Sequence, residues 1–227
     1  MFLYADCHSH LAECFANDKK SVISLLERDD YSVLSSVHSI AEFDAVCFLK
    51  NRYPHKIGIG YGVLPQKPVL ENLSNLKSLL ENPETSANID CVGECGIDLF
   101  DDDSKSTIKI QREIFETQIE MAIQYKKPLV IHQRKAMSEI FAVAHLLKKT
   151  QAVLFHGYSG TLQEAQSVLN KNVNAFFSFG KSVLRGDKKA LDCIENLPRR
   201  RIRFETDSPY QLSAEKIFDI LNSCVKH

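Results

Sequence analysis

Residues 6–10 read DCHSH: two histidines two positions apart, with an aspartate just before them. Strand side chains alternate between faces, so His8 and His10 on an extended run point the same way and can grip one cation. An HxH pair alone is a weak sign, and the rest of the chain decides its meaning. Glu94 closes the run IDCVGE, His132 follows LVI, His156 follows VLF, and Asp207 ends IRFETD. Each is a cation-ligating residue type placed at the close of a short apolar, β-type run.

Four imidazoles and two carboxylates are more than one zinc ion uses, because zinc takes four ligands and a catalytic site keeps one position for water. The set suits two divalent ions. His8, His10 and Asp207 are expected around one, His132 and His156 on the other, with Glu94 bridging. Two ions about 3.5–4 Å apart can share a hydroxide, lower its pKa and neutralise charge on the attacking and leaving oxygens. Asp207 is expected both to ligate and to accept the proton of the attacking water, so Glu94 and Asp207 are the expected catalytic carboxylates. The histidines favour zinc or manganese and the carboxylates magnesium or manganese, so ligand types alone leave the metal open among the three.

Elements must bring these residues to one place. The β-type runs are FLYADCH, YSVLSSV, KIGIGYGV, IDCVGEC, PLVIHQ, AVLFHGY, NAFFSF and IRFETD, and amphipathic stretches alternate with them. In IKIQREIFETQIEMAIQYKK the apolar face is expected to be Ile110, Ile114, Phe115, Ile119, Ala122 and Ile123. AMSEIFAVAHLLKK and SAEKIFDILNSCVK read as helices likewise. Eight strands each followed by a helix predict an α/β fold, a TIM (β/α)8 barrel of eight parallel strands, with an open doubly wound sheet as the alternative. The C-terminal ends of barrel strands form one face, and the six residues converge there.

Length and composition set the outer bounds. A chain of 227 residues predicts one barrel domain over 1–227, with 44% hydrophobic and 25% charged residues typical of globular proteins. No apolar run approaches the roughly 20 residues of a membrane helix, and no secretory signal pattern opens the chain, so a cytoplasmic location is expected. Seven cysteines without a CxxC pair read as reduced thiols, with Cys91 and Cys95 as buried small hydrophobes. A net charge of −1 argues against a protein that coats nucleic acid, while leaving room for an enzyme that handles a few phosphates.

DCHSH, GECGID, VIHQR, FHGYSG and ETDSPY, in that order, resemble the motifs of TatD-type metal-dependent deoxyribonucleases within the amidohydrolase-like barrels. The resemblance covers nearly the whole chain to Tyr210. It implies a TIM barrel, a divalent-metal site and phosphodiester hydrolysis, with DNA or a small phosphodiester as substrate. It carries metal ligation onto His8, His10, Glu94, His132, His156 and Asp207. The chain is similar to a divergent, short member: YGVLPQKP has Leu64 and Gln66 where the family commonly has two histidines, and HQRKA has Lys135 where an aspartate is more usual. These changes bear on contacts to the substrate rather than on the six ligands.

Further polar residues have two readings each. Arg134 follows His132 and is a candidate for a substrate phosphate or a structural ion pair. Lys181 and Arg185 follow strand 7 on the same rim. RRRIR (199–203) precedes strand 8, which puts it at the opposite face as a solvated turn. The acidic run at 101–103 opposes a long polyanion. His38 ends strand 2 within reach of the site. Two other functions compete with phosphodiester hydrolysis: an amidohydrolase-type C–N or ester hydrolase of a small molecule, and a relative that binds metal without turnover. The sequence carries no signal of oligomeric state.

Overall fold

A computed structural model describes residues 4–207. Its eight strands are β1 (Tyr4–Ser9), β2 (Tyr31–Val37), β3 (Ile57–Tyr61), β4 (Cys91–Asp98), β5 (Leu129–Arg134), β6 (Val153–His156), β7 (Ala175–Phe179) and β8 (Ile202–Phe204). All neighbouring pairs are parallel and run in the order β1 to β8, with helices in the connections. This is the expected barrel. Alternate strand residues such as Ile59, Ile131, Phe155 and Phe177 are fully buried and share one apolar cluster with helix residues Leu25, Leu49, Leu76 and Ile119. Each such side chain taken out of water stabilises the fold by about 1.5–3 kcal/mol.

The seam between β8 and β1 is joined by polar groups. The Asp6 carboxylate accepts the Thr206 N–H (2.9 Å) and its hydroxyl (2.6 Å), and the Asp207 N–H donates to the His8 carbonyl (3.0 Å). Burial pushes the Asp6 carboxyl up to about 7 against the Thr206 hydrogen bonds. Asp6 is thus a structural joint two residues before the first histidine.

Several boundaries differ from the sequence expectation, with local reasons. β4 runs on to Asp98, so Glu94 lies within the strand rather than at its end. The ladder with β5 is irregular between Val92 and Cys95. A Cβ on Gly96 would stand 2.0 Å from the His132 carbonyl oxygen, so the two backbones approach as only glycine allows. β8 ends at Phe204, and Asp207 follows with φ +44°, a left-handed conformation that costs a non-glycine residue of order 1–3 kcal/mol. AMSEIFAVAHLLKK forms two short helices, Met137–Ala142 and Ala144–Leu147, broken by a turn at Val143. SAEKIFDILNSCVK lies outside the described residues. No described helix is long and apolar enough to cross a membrane.

The helix Ile108–Gln124 corrects the expected apolar face. Ile110 and Ile123 are only half-buried, whereas Gln111 and Gln118 are buried. Gln118 accepts the Val63 N–H (2.8 Å) and donates to the Val63 carbonyl (3.2 Å). Gln111 accepts the Asp98 N–H (2.9 Å) and donates to the Asp98 carbonyl (3.2 Å). Hydropathy places glutamine outside, but a buried amide is stable when both its ends are paired. These two fix the segments that leave β3 and β4.

Candidate metal centre

All six expected residues meet at the C-terminal ends of the strands. Glu94 stands at the middle, its side chain 4% exposed. Its Oε2 is 3.2 Å from His8 Nε2 and 3.8 Å from His10 Nε2, and Asp207 Oδ1 closes that side at 3.9 and 3.5 Å from the same two nitrogens. Its Oε1 is 3.0 Å from His132 Nδ1 and 2.9 Å from His156 Nε2, which are 3.2 Å from each other. The two oxygens of the carboxylate thus face different pairs of histidines, while His8, Glu94 and His156 also bring ligand atoms within 4.8 Å of one another.

Three of the four imidazoles are held from behind. His8 Nδ1 lies 3.3 Å from the Ser36 hydroxyl, and the His8 ring stacks on His156 with centroids 3.9 Å apart. His132 Nε2 faces Asp98 Oδ2 at 2.9 Å. Behind His156, the buried Glu205 accepts the Gly157 N–H (2.7 Å) and the Ser178 hydroxyl, with Oε1 3.7 Å from His156 Nδ1. Asp207 is fixed through its backbone, since Lys181 Nζ donates to its carbonyl at 2.6 Å. Lys181, a candidate for substrate or solvent, thus orients a proposed ligand.

The electrostatics follow this packing. Burial pushes the Glu94 carboxyl up, but His156 and His8, with hydrogen bonds from His132 and His156, hold it well below the usual range. Burial opposes charge on His156 too, yet Glu94 and Glu205 raise it well above an ordinary histidine. Asp207 is lowered, the penalty of burial being outweighed by His10, His8 and His156. His8 is the exception: burial and the neighbouring His156 lower it.

The residues fit divalent cations. Ligand atoms bound to one ion at ~2.1 Å in tetrahedral or octahedral geometry lie roughly 3.0–3.4 Å apart, as the Glu94–His132–His156 atoms do. Buried polar atoms without a hydrogen-bond partner among the described residues include His8 Nε2, His38 Nε2 and His156 Nδ1. An orphaned buried polar atom costs about 1–3 kcal/mol, which a bound cation offsets at the ligating nitrogens.

The pocket over the cluster holds about 240 Å³ and is lined by five of the six expected residues, all but His8, together with Leu64, Gln66 and Lys67. Gln66 Nε2 lies 3.0 Å from Asp98 Oδ2 and 2.9 Å from His132 Nε2. Two of the three positions that depart from the family pattern, Leu64 and Gln66, thus face the site. Asp207 is the open side of the cluster at 46% side-chain exposure, against 0% for His8. Arg134 is exposed and lays its guanidinium 3.5 Å from the Phe100 ring centroid, with Phe100 itself 44% exposed. RRRIR lies at the opposite end, where Arg201 donates to Asn174 and the Ala175 carbonyl. Cys91 and Cys95 are buried free thiols.

Sequence reasoning passed over Asp98, Glu205, Gln111 and Gln118. GECGID and FETD contain the two carboxylates in plain view, each within four residues of an expected ligand. No such signal marks the glutamines.

Comparison with known proteins gives the family of the chain. The family model described as TatD related DNase matches residues 5–221. "Uncharacterized metal-dependent hydrolase MJ1582" of Methanocaldococcus jannaschii is 27% identical over 91% of this chain and 79% of its own length. "Putative deoxyribonuclease TATDN3" of Mus musculus is 31% identical over 93% of this chain and 74% of its own. The crystal structure of YjjV, a TatD homologue from Escherichia coli, superposes with a TM-score of 0.74 at 22% identity, covering 96% of this chain and 88% of that one. By its sequence and its barrel, this chain belongs to the TatD-related DNase family of metal-dependent hydrolases.

Proposed function

We propose that this hydrolase cleaves phosphodiester bonds of DNA with two divalent cations. His8, His10 and Asp207 hold one, His132 and His156 the other, and Glu94 is shared. One observation carries the reading: Glu94 Oε2 faces His8 and His10 while its Oε1 faces His132 and His156. The family description and the name of the mouse relative support a DNA substrate.

Bound divalent ions supply Lewis acidity, activating water and neutralising charge on the phosphate oxygens. The chain's own residues do the rest. Asp207, the exposed carboxylate of the cluster, accepts the proton of the attacking water. Ser36, Asp98 and Glu205 keep the imidazole rings in place. Lys67 lines the pocket as a positive charge for a substrate phosphate, and Arg134 with Phe100 offers a flat cationic face on which a base stacks.

The test is hydrolysis of end-labelled single-stranded DNA with Mg²⁺ or Mn²⁺, wild type against Glu94→Gln. Metal-dependent cleavage that disappears in the variant is expected. A second reading, hydrolysis of a small amide or ester, draws on the neutral Leu64 and Gln66 side chains that line the pocket. Turnover of amides or lactones by a metal-loaded protein that leaves DNA and phosphodiester model compounds intact would replace the first reading with the second. Metal binding without any turnover would reduce it to a binding protein.

A further inference from the structure

His38 belongs to none of the roles above, yet its side chain is built into the site. Its backbone is fixed by the helix that follows: the His38 N–H donates to Glu42 Oε2 (2.6 Å), while the Ser39 hydroxyl accepts the Glu42 N–H (3.3 Å) at the start of Ile40–Arg52. Its ring is fixed on the other side, with Nδ1 3.0 Å from the Gly62 carbonyl oxygen. A carbonyl oxygen only accepts, so Nδ1 carries the ring proton and the neutral imidazole presents a lone pair at Nε2. That Nε2 is buried and has no hydrogen-bond partner among the described residues.

What faces the lone pair decides its use. Ligand atoms of His10, His38 and Glu94 all lie within 4.8 Å of one another, and the His10 and His38 rings are 5.8 Å apart at their centroids. Phosphate oxygens only accept hydrogen bonds, so a lone pair suits a cation and not a phosphate. An imidazole backed by a backbone carbonyl through one nitrogen and open at the other is how proteins orient a metal-binding histidine. Gly62 also leads into the loop that carries Leu64 and Gln66, which offers no imidazole of its own. We propose that His38 is a further ligand of the cation held by His8, His10 and Asp207, an imidazole supplied from the end of β2. The inference rests on the two-ion reading of the site.

The experiment titrates Mn²⁺ into the chelator-stripped full chain by calorimetry and records the Co²⁺ absorption spectrum in parallel. Three variants separate the roles. His38→Asn keeps an amide N–H near the Nδ1 position, for Gly62, and has no atom in place of Nε2. His38→Ala removes both, and His38→Gln returns an amide oxygen near the Nε2 position. The expected result is one Mn²⁺ site weakened by about ten- to a hundredfold in the Asn and Ala variants, with a changed Co²⁺ spectrum and partial recovery in Gln. Mn²⁺ affinity within twofold of wild type and an unchanged spectrum in His38→Asn would overturn the proposal. So would a loss of DNA cleavage with Mn²⁺ binding intact, which would make His38 a substrate contact. A wild type that takes up one Mn²⁺ per chain breaks the two-ion reading, and a wild type with two ions but no DNA cleavage breaks the substrate reading. The comparison of His38→Asn with wild type stays decisive for His38 in both cases.

Discussion

The two ends of the barrel draw on the same eight strands but hold different contents. At the N-terminal end a cavity of about 640 Å³ is lined from every strand, among others by Leu34, Val130, Leu154 and Phe176. Its charges already have partners: Lys50 meets Asp90 at 2.6 Å, Asp90 also accepts the Ile59 N–H, and Arg203 stacks over Phe176 at 4.5 Å. At the C-terminal end the pocket is less than half that size, yet His8 Nε2 and His38 Nε2 beside it have no hydrogen-bond partner among the described residues. Every group of ligand atoms suited to a cation, among the described residues, is at this end. The larger space is the usual first guess for a binding site. Here unpartnered imidazole nitrogens and convergent ligand-type side chains point to the smaller pocket instead.

The sharpest way to break this contrast is at Glu94. Glu94→Gln removes the charge shared by both ligand groups, and DNA hydrolysis should fall by at least roughly 10²–10³-fold, the scale of losing one preorganised electrostatic contact. Chelation acts on the same end through stability as well. Hydrolysis should cease, and at a free-ion concentration a hundred times Kd the lost linkage is about 2.7 kcal/mol, read as a lower denaturation midpoint. An apo protein as stable as the loaded one would mean the cluster binds no ion tightly.

Gln118→Ala tests the support of the C-terminal end rather than its ligands. It leaves the buried Val63 N–H and carbonyl without their partner, costing about 1–3 kcal/mol by urea denaturation. Freed on one side, the segment with Leu64, Gln66 and Lys67 should lower kcat/KM by roughly tenfold. Unchanged kcat/KM would show that this loop does not touch the substrate. Phe176→Ala should have the smallest effect. It removes a half-buried ring from the N-terminal cavity, costing about 1–2 kcal/mol, less than a fully buried ring because water already reaches it. Its kcat/KM per folded molecule should stay within twofold, and a larger loss would show that the two ends are coupled.

The barrel was legible because each strand is a short apolar run and each intervening stretch carries helical spacing, and local pattern alone sets both. The meeting of the six expected residues at one rim was legible for a related reason. A parallel barrel brings every strand to the same rim, so a polar residue closing an apolar run on several strands marks one place. Gln111 and Gln118 were not legible, because their burial depends on partners at Asp98 and Val63 that are distant in sequence. Lys181 read as a substrate or solvent residue because its partner, the Asp207 carbonyl, is 26 residues away.

By itself the sequence determined the strand count, the parallel order and the set of imidazoles and carboxylates at one rim. Those follow from periodicity and residue type, which are local. Only the tertiary structure decided which oxygen of Glu94 faces which histidines, which carboxylates stand behind the rings, and that His38 stands beside the cluster with Nδ1 on the Gly62 carbonyl and Nε2 unpartnered. Such choices turn on ångström distances between atoms far apart in the chain, and no spacing along the sequence encodes them.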